Sequence, residues 1–285
     1  MISVKRTCSM FRLIAMLFLI GLAFSAINIS GTNAAIMNES DSDESSEDSE
    51  SIDEQHDEPY LDDYIDVLNH KADTEETSID SSVLCKFERG NPGKKLIALT
   101  FDDGPHQEYT PQILRILREY DVKATFFVVG LMAKRYPYLV RAEYLGGHEI
   151  GNHTHTHENL TQMSDNSVVH EITMCGDAIE HVTNIKSKLF RPSGGNHTNK
   201  IMDIANSLGY TVVLWSVDPG DYLMPSETVI INRIMRKVKN GGVILLHDGV
   251  QQTIDVLPEI ITRLKNKGYE FVTVSEMMEN SISSK

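Results

Sequence analysis

From residue 94 to the end of the chain, short apolar runs alternate with stretches whose apolar residues recur at helical spacing. The runs fall at residues 96–101, 124–129, 148–151, 189–190, 211–217, 243–246 and 271–274. Helical spacing occupies residues 111–120, 131–145, 166–182, 200–208, 227–239 and 254–267. Short apolar runs bounded by turn residues predict strands buried on both faces, and their alternation with helices predicts repeated βα units. Such units build an α/β fold around one parallel sheet, either a barrel or a doubly wound form. Neither G-x-G-x-x-G nor G-x-x-x-x-G-K-[ST] follows the first strand, which argues against a nucleotide site. Folds of this class place their chemistry at the junctions where strands run into loops.

The first 92 residues break the pattern. Lys5, Arg6 and Arg12 precede an uncharged apolar run at residues 13–27, with small residues at 23–25 and 34–35. Residues 1–36 are therefore expected to be a signal peptide or an N-terminal membrane anchor, the run being short of the roughly 20 residues that span a bilayer. The basic flank would leave the rest of the chain outside the membrane in either case. Residues 39–80 hold 18 Asp and Glu and one Lys, a net charge of −17 against −15 for the whole chain. The acidity thus belongs to this segment, and everything after residue 80 carries only −1. A stretch of that composition repels itself and buries too little to offset its ordering entropy, so residues 37–92 are expected to be a disordered linker, with His56 and His70 solvated. Residues 93–285 remain for one catalytic domain, long enough for a stable core. No nucleic-acid partner is expected. Of Cys8, Cys85 and Cys175, only the last two are candidates for a bridge, and two unpaired thiols are an equal expectation.

The polar residues that interrupt the pattern cluster at predicted strand ends. Thr100-Phe101-Asp102-Asp103-Gly104-Pro105 puts two carboxylates beside a forced turn, so that both can face one pocket mouth. Gly151-Asn152-His153-Thr154-His155-Thr156-His157 holds three imidazoles in five residues. They share a face at i, i+4 in a helix, or at i, i+2, i+4 in an extended loop. Either arrangement suits a divalent ion completed by a carboxylate and an open position. Later strand ends add a fixed cation in Phe190-Arg191-Pro192-Ser193-Gly194-Gly195, a carboxylate in Trp215-Ser216-Val217-Asp218-Pro219-Gly220-Asp221-Tyr222, and an imidazole in Leu245-Leu246-His247-Asp248.

In this order and spacing the five segments resemble the motifs of the polysaccharide deacetylase family, the NodB-homology domain of carbohydrate esterase family 4, over about residues 95–278. The resemblance implies a distorted or incomplete (β/α) barrel of seven parallel strands. By position it implies Asp102 as catalytic base, Asp103, His153 and His157 as metal ligands, Arg191 as the partner of Asp102, and Asp221 as the group orienting His247, the general acid. It places Gly194 at the oxyanion and Tyr222 and Leu245 at the acetyl pocket, with Thr154 buttressing the second motif and His155 in a wall. The third motif departs from the family's usual Arg-Pro-Pro-Tyr-Gly at Ser193 and Gly194, Tyr222 stands where Trp is usual, and Glu158 has no assigned role. The implied reaction is metal-assisted hydrolysis of N-acetyl groups on a polysaccharide outside the cytoplasm, by an enzyme secreted or anchored in the membrane through its N-terminus. Zinc is the expected ion, with Co, Ni or Mn open. Peptidoglycan N-acetylglucosamine is the favoured substrate. Chitin or its oligosaccharides, N-acetylmuramic acid and O-acetyl esters of the xylan type stay open, because loops set specificity. The reading from another class, a non-catalytic glycan-binding module, would keep the aromatic residues and lose the charged ones.

Overall fold

In the computed structural model, which describes residues 86–282, eight strands and eight α-helices follow one another along the described chain. They are β1 (Lys86–Phe87), β2 (Leu96–Asp102), α1 (Tyr109–Glu119), β3 (Thr125–Val128), α2 (Gly130–Arg135), α3 (Pro137–Leu145), β4 (Glu149–Asn152), α4 (Asp165–Thr183), β5 (Leu189–Phe190), α5 (Asn199–Ser207), β6 (Thr211–Val213), α6 (Glu227–Lys237), β7 (Gly242–His247), α7 (Gln251–Asn266), β8 (Glu270–Phe271) and α8 (Val274–Ile282). The expected leader, the acidic linker as far as residue 85, and Cys85 lie outside the described residues. Among the described residues, no helix is long and apolar enough to cross a membrane.

All the strand pairs are parallel, and seven strands run in the order β1-β6-β5-β4-β3-β2-β7, with β8 added beside the start of β2. The two ends of this path curl toward each other. Arg89, just past β1, forms a single bridge with Gly242, and Val217, past β6, forms one with Ile244 on β7. The sheet is therefore the incomplete parallel barrel that the motif resemblance implies, closed by isolated bridges and not by a full ladder.

Alternation along the strands sorts the side chains into two layers. On β2, Ile97, Leu99 and Phe101 pack outward in the main core with Ile113, Leu117, Val256 and Ile260 of the surrounding helices. Leu96 and Ala98 point the other way, into an inner cluster with Phe87, Phe127, Leu189, Val213, Val243, Val274 and Met277. The inner row of β2 continues through Thr100 to Asp102, and that of β7 runs from Val243 through Leu245 to His247. The barrel interior is thus apolar at the start of the strands and polar where they end.

The helical stretch at 131–145 holds more than one helix, as expected: it breaks at Tyr136, just before Pro137, into α2 and α3. Two local outcomes differ from expectation. Strand β1 lies inside the stretch assigned to the linker, because Phe87, 5 % exposed, completes the inner cluster. The strand expected at 271–274 ends at Phe271, and α8 starts at Val274 instead. A reciprocal cap starts that helix: Glu276 N–H donates to Thr273 Oγ1, and Thr273 N–H donates to Glu276 Oε2. Cys175 is a free, fully buried thiol that donates to Val128 O at 3.3 Å.

If β1 belongs to the fold, Phe87→Ala destabilises the protein by about 3 kcal/mol in urea unfolding, the usual cost of deleting a buried aromatic side chain. A midpoint equal to that of the parent would return this segment to the linker.

Candidate active site

Arg191 follows β5 directly, and strand alternation carries it to the inner side, where it is completely buried. Its Nη1 donates to Asp102 Oδ1 at 2.5 Å and to Thr100 Oγ1 at 2.9 Å. Nε donates to Val213 O at 3.2 Å and Nη2 to Leu214 O at 3.3 Å. The guanidinium lies 3.9 Å from the ring centre of Phe127 and 5.6 Å from that of Trp215. Phe127 can lie beneath it because residue 151 is glycine: a Cβ there would stand 2.5 Å from the Phe127 ring. Burial pulls Arg191 below its ordinary pKa, and the charge of Asp102 opposes that pull.

Asp102 Oδ1 is thus committed to Arg191, and Oδ2 lies 3.6 Å from His153 Nε2. Asp103, one residue on, has φ 76°, a left-handed conformation that turns its carboxylate toward the barrel mouth. The segment 153–157 is neither helical nor extended. Thr154 (φ 69°) and His157 (φ 64°) bend it twice, and the bends bring the rings of His153 and His157 to 5.0 Å between centres. Both expected geometries, helical and extended, are therefore replaced by a double left-handed turn. His155 points away from the other two, buried beside Gly130 and Cys175.

The ligand atoms of Asp103, His153 and His157 all lie within 4.8 Å of one another. Asp103 Oδ1 stands 3.4 Å from His153 Nε2 and 3.0 Å from His157 Nε2. Ligands held about 2.0–2.1 Å from a tetrahedral ion stand about 3.3 Å apart, so the three fit a zinc-sized cation. Two further features agree. Asp103 Oδ1 is buried without a hydrogen-bond donor. His153 Nδ1 sits 2.8 Å from Arg191 O, which fixes the proton on Nδ1 and leaves the Nε2 lone pair facing Asp103. Burial works against ionising Asp103, yet the two neighbouring imidazoles prevail and hold it well below the usual carboxylate range.

On the neighbouring strand, His247 ends β7 as the register partner of Asp102. Its Nδ1 lies 2.9 Å from Asp221 Oδ1, and its N–H donates to Asp221 Oδ2 at 2.7 Å. Thr253, on α7, donates to the same Oδ2 at 2.7 Å, leaving Asp221 fully buried and fully engaged. Burial disfavours the His247 cation, but Asp221 outweighs it with help from Asp102 and Asp103, and the pKa rises to about 9. Tyr222 packs its ring against His247 at 5.1 Å and is 47 % exposed. Leu245 is buried on the same inner row, and Gly194 (φ 60°) is exposed in the turn after Arg191.

A family model described as polysaccharide deacetylase matches residues 89–213. A peptidoglycan N-acetylglucosamine deacetylase of Bacillus cereus is 42% identical over 190 residues, 65% of this chain and 89% of that protein. The chain belongs to the polysaccharide deacetylase family. Its chemistry is that of a hydrolase that removes acetyl groups. The crystal structure of the Bc1960 peptidoglycan N-acetylglucosamine deacetylase, bound to a naphthyl N-oxidanyl-benzamide, superposes with a TM-score of 0.66 at 35% identity, covering 68% of this chain and 92% of that one. A family pseudoenzyme from Bacillus anthracis, BA3943, superposes with a TM-score of 0.65 at 33% identity, covering 67% of this chain and 68% of that one.

In this deacetylase the structure brings Asp102, Asp103, His153, His157, Arg191, Asp221 and His247 into one constellation. Thr154 stands slightly apart. It is fully buried, pairs with Ser193 Oγ at 2.9 Å and accepts from His157 N–H at 3.1 Å, so it ties the second motif to the third. Sequence reasoning missed Thr100, Thr253 and Glu171, which grip Arg191, Asp221 and the 155–156 backbone. No local pattern marks them, since each reaches its partner from a distant part of the chain.

Because His247 gains its charge on folding, its contribution to stability is fully present below about pH 6.5 and is lost as pH rises through about 9. In the metal-free protein, the stability gap between the parent and Asp221→Asn therefore narrows over that range by on the order of 3 kcal/mol, read from urea unfolding. A gap that does not change with pH would mean that Asp221 does not hold the His247 charge.

Proposed function

We propose that this chain removes N-acetyl groups from N-acetylglucosamine units of peptidoglycan outside the cytoplasmic membrane, releasing acetate and leaving a free amine. The observation that carries the reading is that Asp102 and His247, register partners at the ends of β2 and β7, stand beside the Asp103–His153–His157 cluster. A proton acceptor and a charged proton donor then face one reacting centre. Similarity to the pseudoenzyme makes these residues, and not the fold, the ground for an active enzyme. The relatives named for peptidoglycan support the substrate.

Asp103, His153 and His157 would hold the divalent ion. When bound, such an ion lowers the pKa of a coordinated water toward about 7 and polarises an acyl oxygen. Zinc is favoured because two imidazoles and one carboxylate match its preferences better than those of the harder Mg or Ca. Asp102 takes the proton of the attacking water through Oδ2, since Arg191 occupies Oδ1. His247, with Nδ1 held by Asp221, presents Nε2 to the leaving nitrogen and gives it a proton. The Gly194 N–H faces the acyl oxygen as charge builds there, and Tyr222 and Leu245 enclose the acetyl methyl group. Residues 1–36 would export or anchor the chain, and the acidic segment would serve as a tether to the wall.

Mass spectrometry of peptidoglycan incubated with the purified protein should show loss of acetyl groups and release of acetate, abolished by a chelator and restored by Zn²⁺. Asp102→Asn and His247→Ala should each lower the rate by about 10²–10⁴, the span typical of general acid–base groups. An unmodified glycan in the presence of added metal would defeat the proposal.

A further inference from the structure

The segment that carries two of the three ligands is held through its backbone, and each N–H has a named acceptor. His153 N–H donates to Val128 O at 3.0 Å, as a continuation of the sheet. Thr154 N–H donates to Asn152 Oδ1 at 3.0 Å, and His157 N–H to Thr154 Oγ1 at 3.1 Å. The two N–H groups between them, of His155 and Thr156, both donate to Glu171 Oε2, at 3.0 and 2.8 Å. The carbonyls of Thr154 and His155 accept from Gly130 and Leu131 N–H, at 3.0 Å each. Glu171 is the one acceptor of the four that comes from a separate helix, α4, and it is 6 % exposed.

We infer that Glu171 is a positioning residue for the metal centre: its carboxylate holds the 154–157 turn in the strained form that keeps His157 beside His153 and Asp103. The inference rests on the ligand assignment proposed above. A non-glycine residue in the left-handed region costs about 1–2 kcal/mol, and this turn contains two, Thr154 and His157. Without the carboxylate, the buried His155 N–H and the part-buried Thr156 N–H would lose their acceptor, and the turn would relax toward ordinary dihedrals that swing the His157 ring away. Among the described residues Glu171 forms no ion pair, so its buried charge is compensated by these backbone dipoles. A single oxygen receiving two charge-assisted hydrogen bonds is a strong anchor. The same geometry explains why the cluster H-T-H-T-H supplies only two ligands: the turn that presents His153 and His157 drives His155 inward.

The test is Zn²⁺ affinity, measured by competition with a chromophoric chelator on the purified protein, with unfolding of the metal-free form followed in parallel. Glu171→Ala should weaken Zn²⁺ binding about 10–100-fold, the usual cost of removing a group that orients a ligand. Glu171→Gln, whose amide oxygen can accept both N–H groups, should stay within about threefold of the parent, its bonds being weaker but present. Ile179→Ala, which loosens α4 in the core away from the turn, serves as a control and should leave affinity unchanged. The inference is overturned if Glu171→Ala binds as the parent does, if Glu171→Gln loses as much as Glu171→Ala, or if Ile179→Ala loses as much as either. Failure of the parent protein to bind Zn²⁺ would instead remove the ligand assignment itself, and this inference with it.

Discussion

The buried ion pair between Arg191 and Asp102 is the interaction on which the rest of the site depends. It joins β2, the end of β5 and the carbonyls at the end of β6, elements far apart in sequence, where the apolar interior of the barrel gives way to its polar mouth. A buried guanidinium is costly to desolvate, and removing one partner of such a pair costs about 3–5 kcal/mol because the other charge is left stranded. Here the cost is offset by hydrogen bonds from every guanidinium nitrogen and by the Phe127 face beneath. The pair also divides the labour of one carboxylate. Oδ1 is structural and Oδ2 is left for chemistry, so the base is aimed by the same contact that stabilises it.

Around this fixed point the electrostatics run in opposite directions. Asp103 is held as a carboxylate by the neighbouring imidazoles, while His247 is held as a cation by Asp221. Both are partly buried, where charge costs most, and each is sustained by a specific partner. A divalent ion at Asp103 would offset the charge of Asp102 and Asp103 and leave that of Asp221, the main support of the His247 cation. The arrangement therefore couples metal occupancy to the proton-donating strength of a side chain that does not touch the metal.

Much of this was legible in the sequence because it depends on strand ends and alternation. Apolar runs located six of the strands, and the polar residues at their ends marked Asp102, His153, Arg191 and His247. What stayed hidden had either too little local pattern or a distant partner. Strand β1 is two residues long and follows an acidic stretch that dominates its surroundings. The T-x-x-E cap at Thr273 was present in the sequence but was overshadowed by the apolar run it interrupts. The turn at 153–157 could not be read from spacing, because two non-glycine left-handed residues contradict local preference and persist through tertiary contacts such as that from Glu171.

The lone thiol beneath the ligand turn has a practical consequence. Burial pushes Cys175 up to about 12, so at neutral pH only about one molecule in 10⁵ carries the reactive thiolate. Its hydrogen is given to Val128 O, and no surface reaches it. An enzyme working among oxidants can keep such a sulfur as ordinary packing volume, immune to sulfenylation and mixed-disulfide formation for as long as the barrel stays folded.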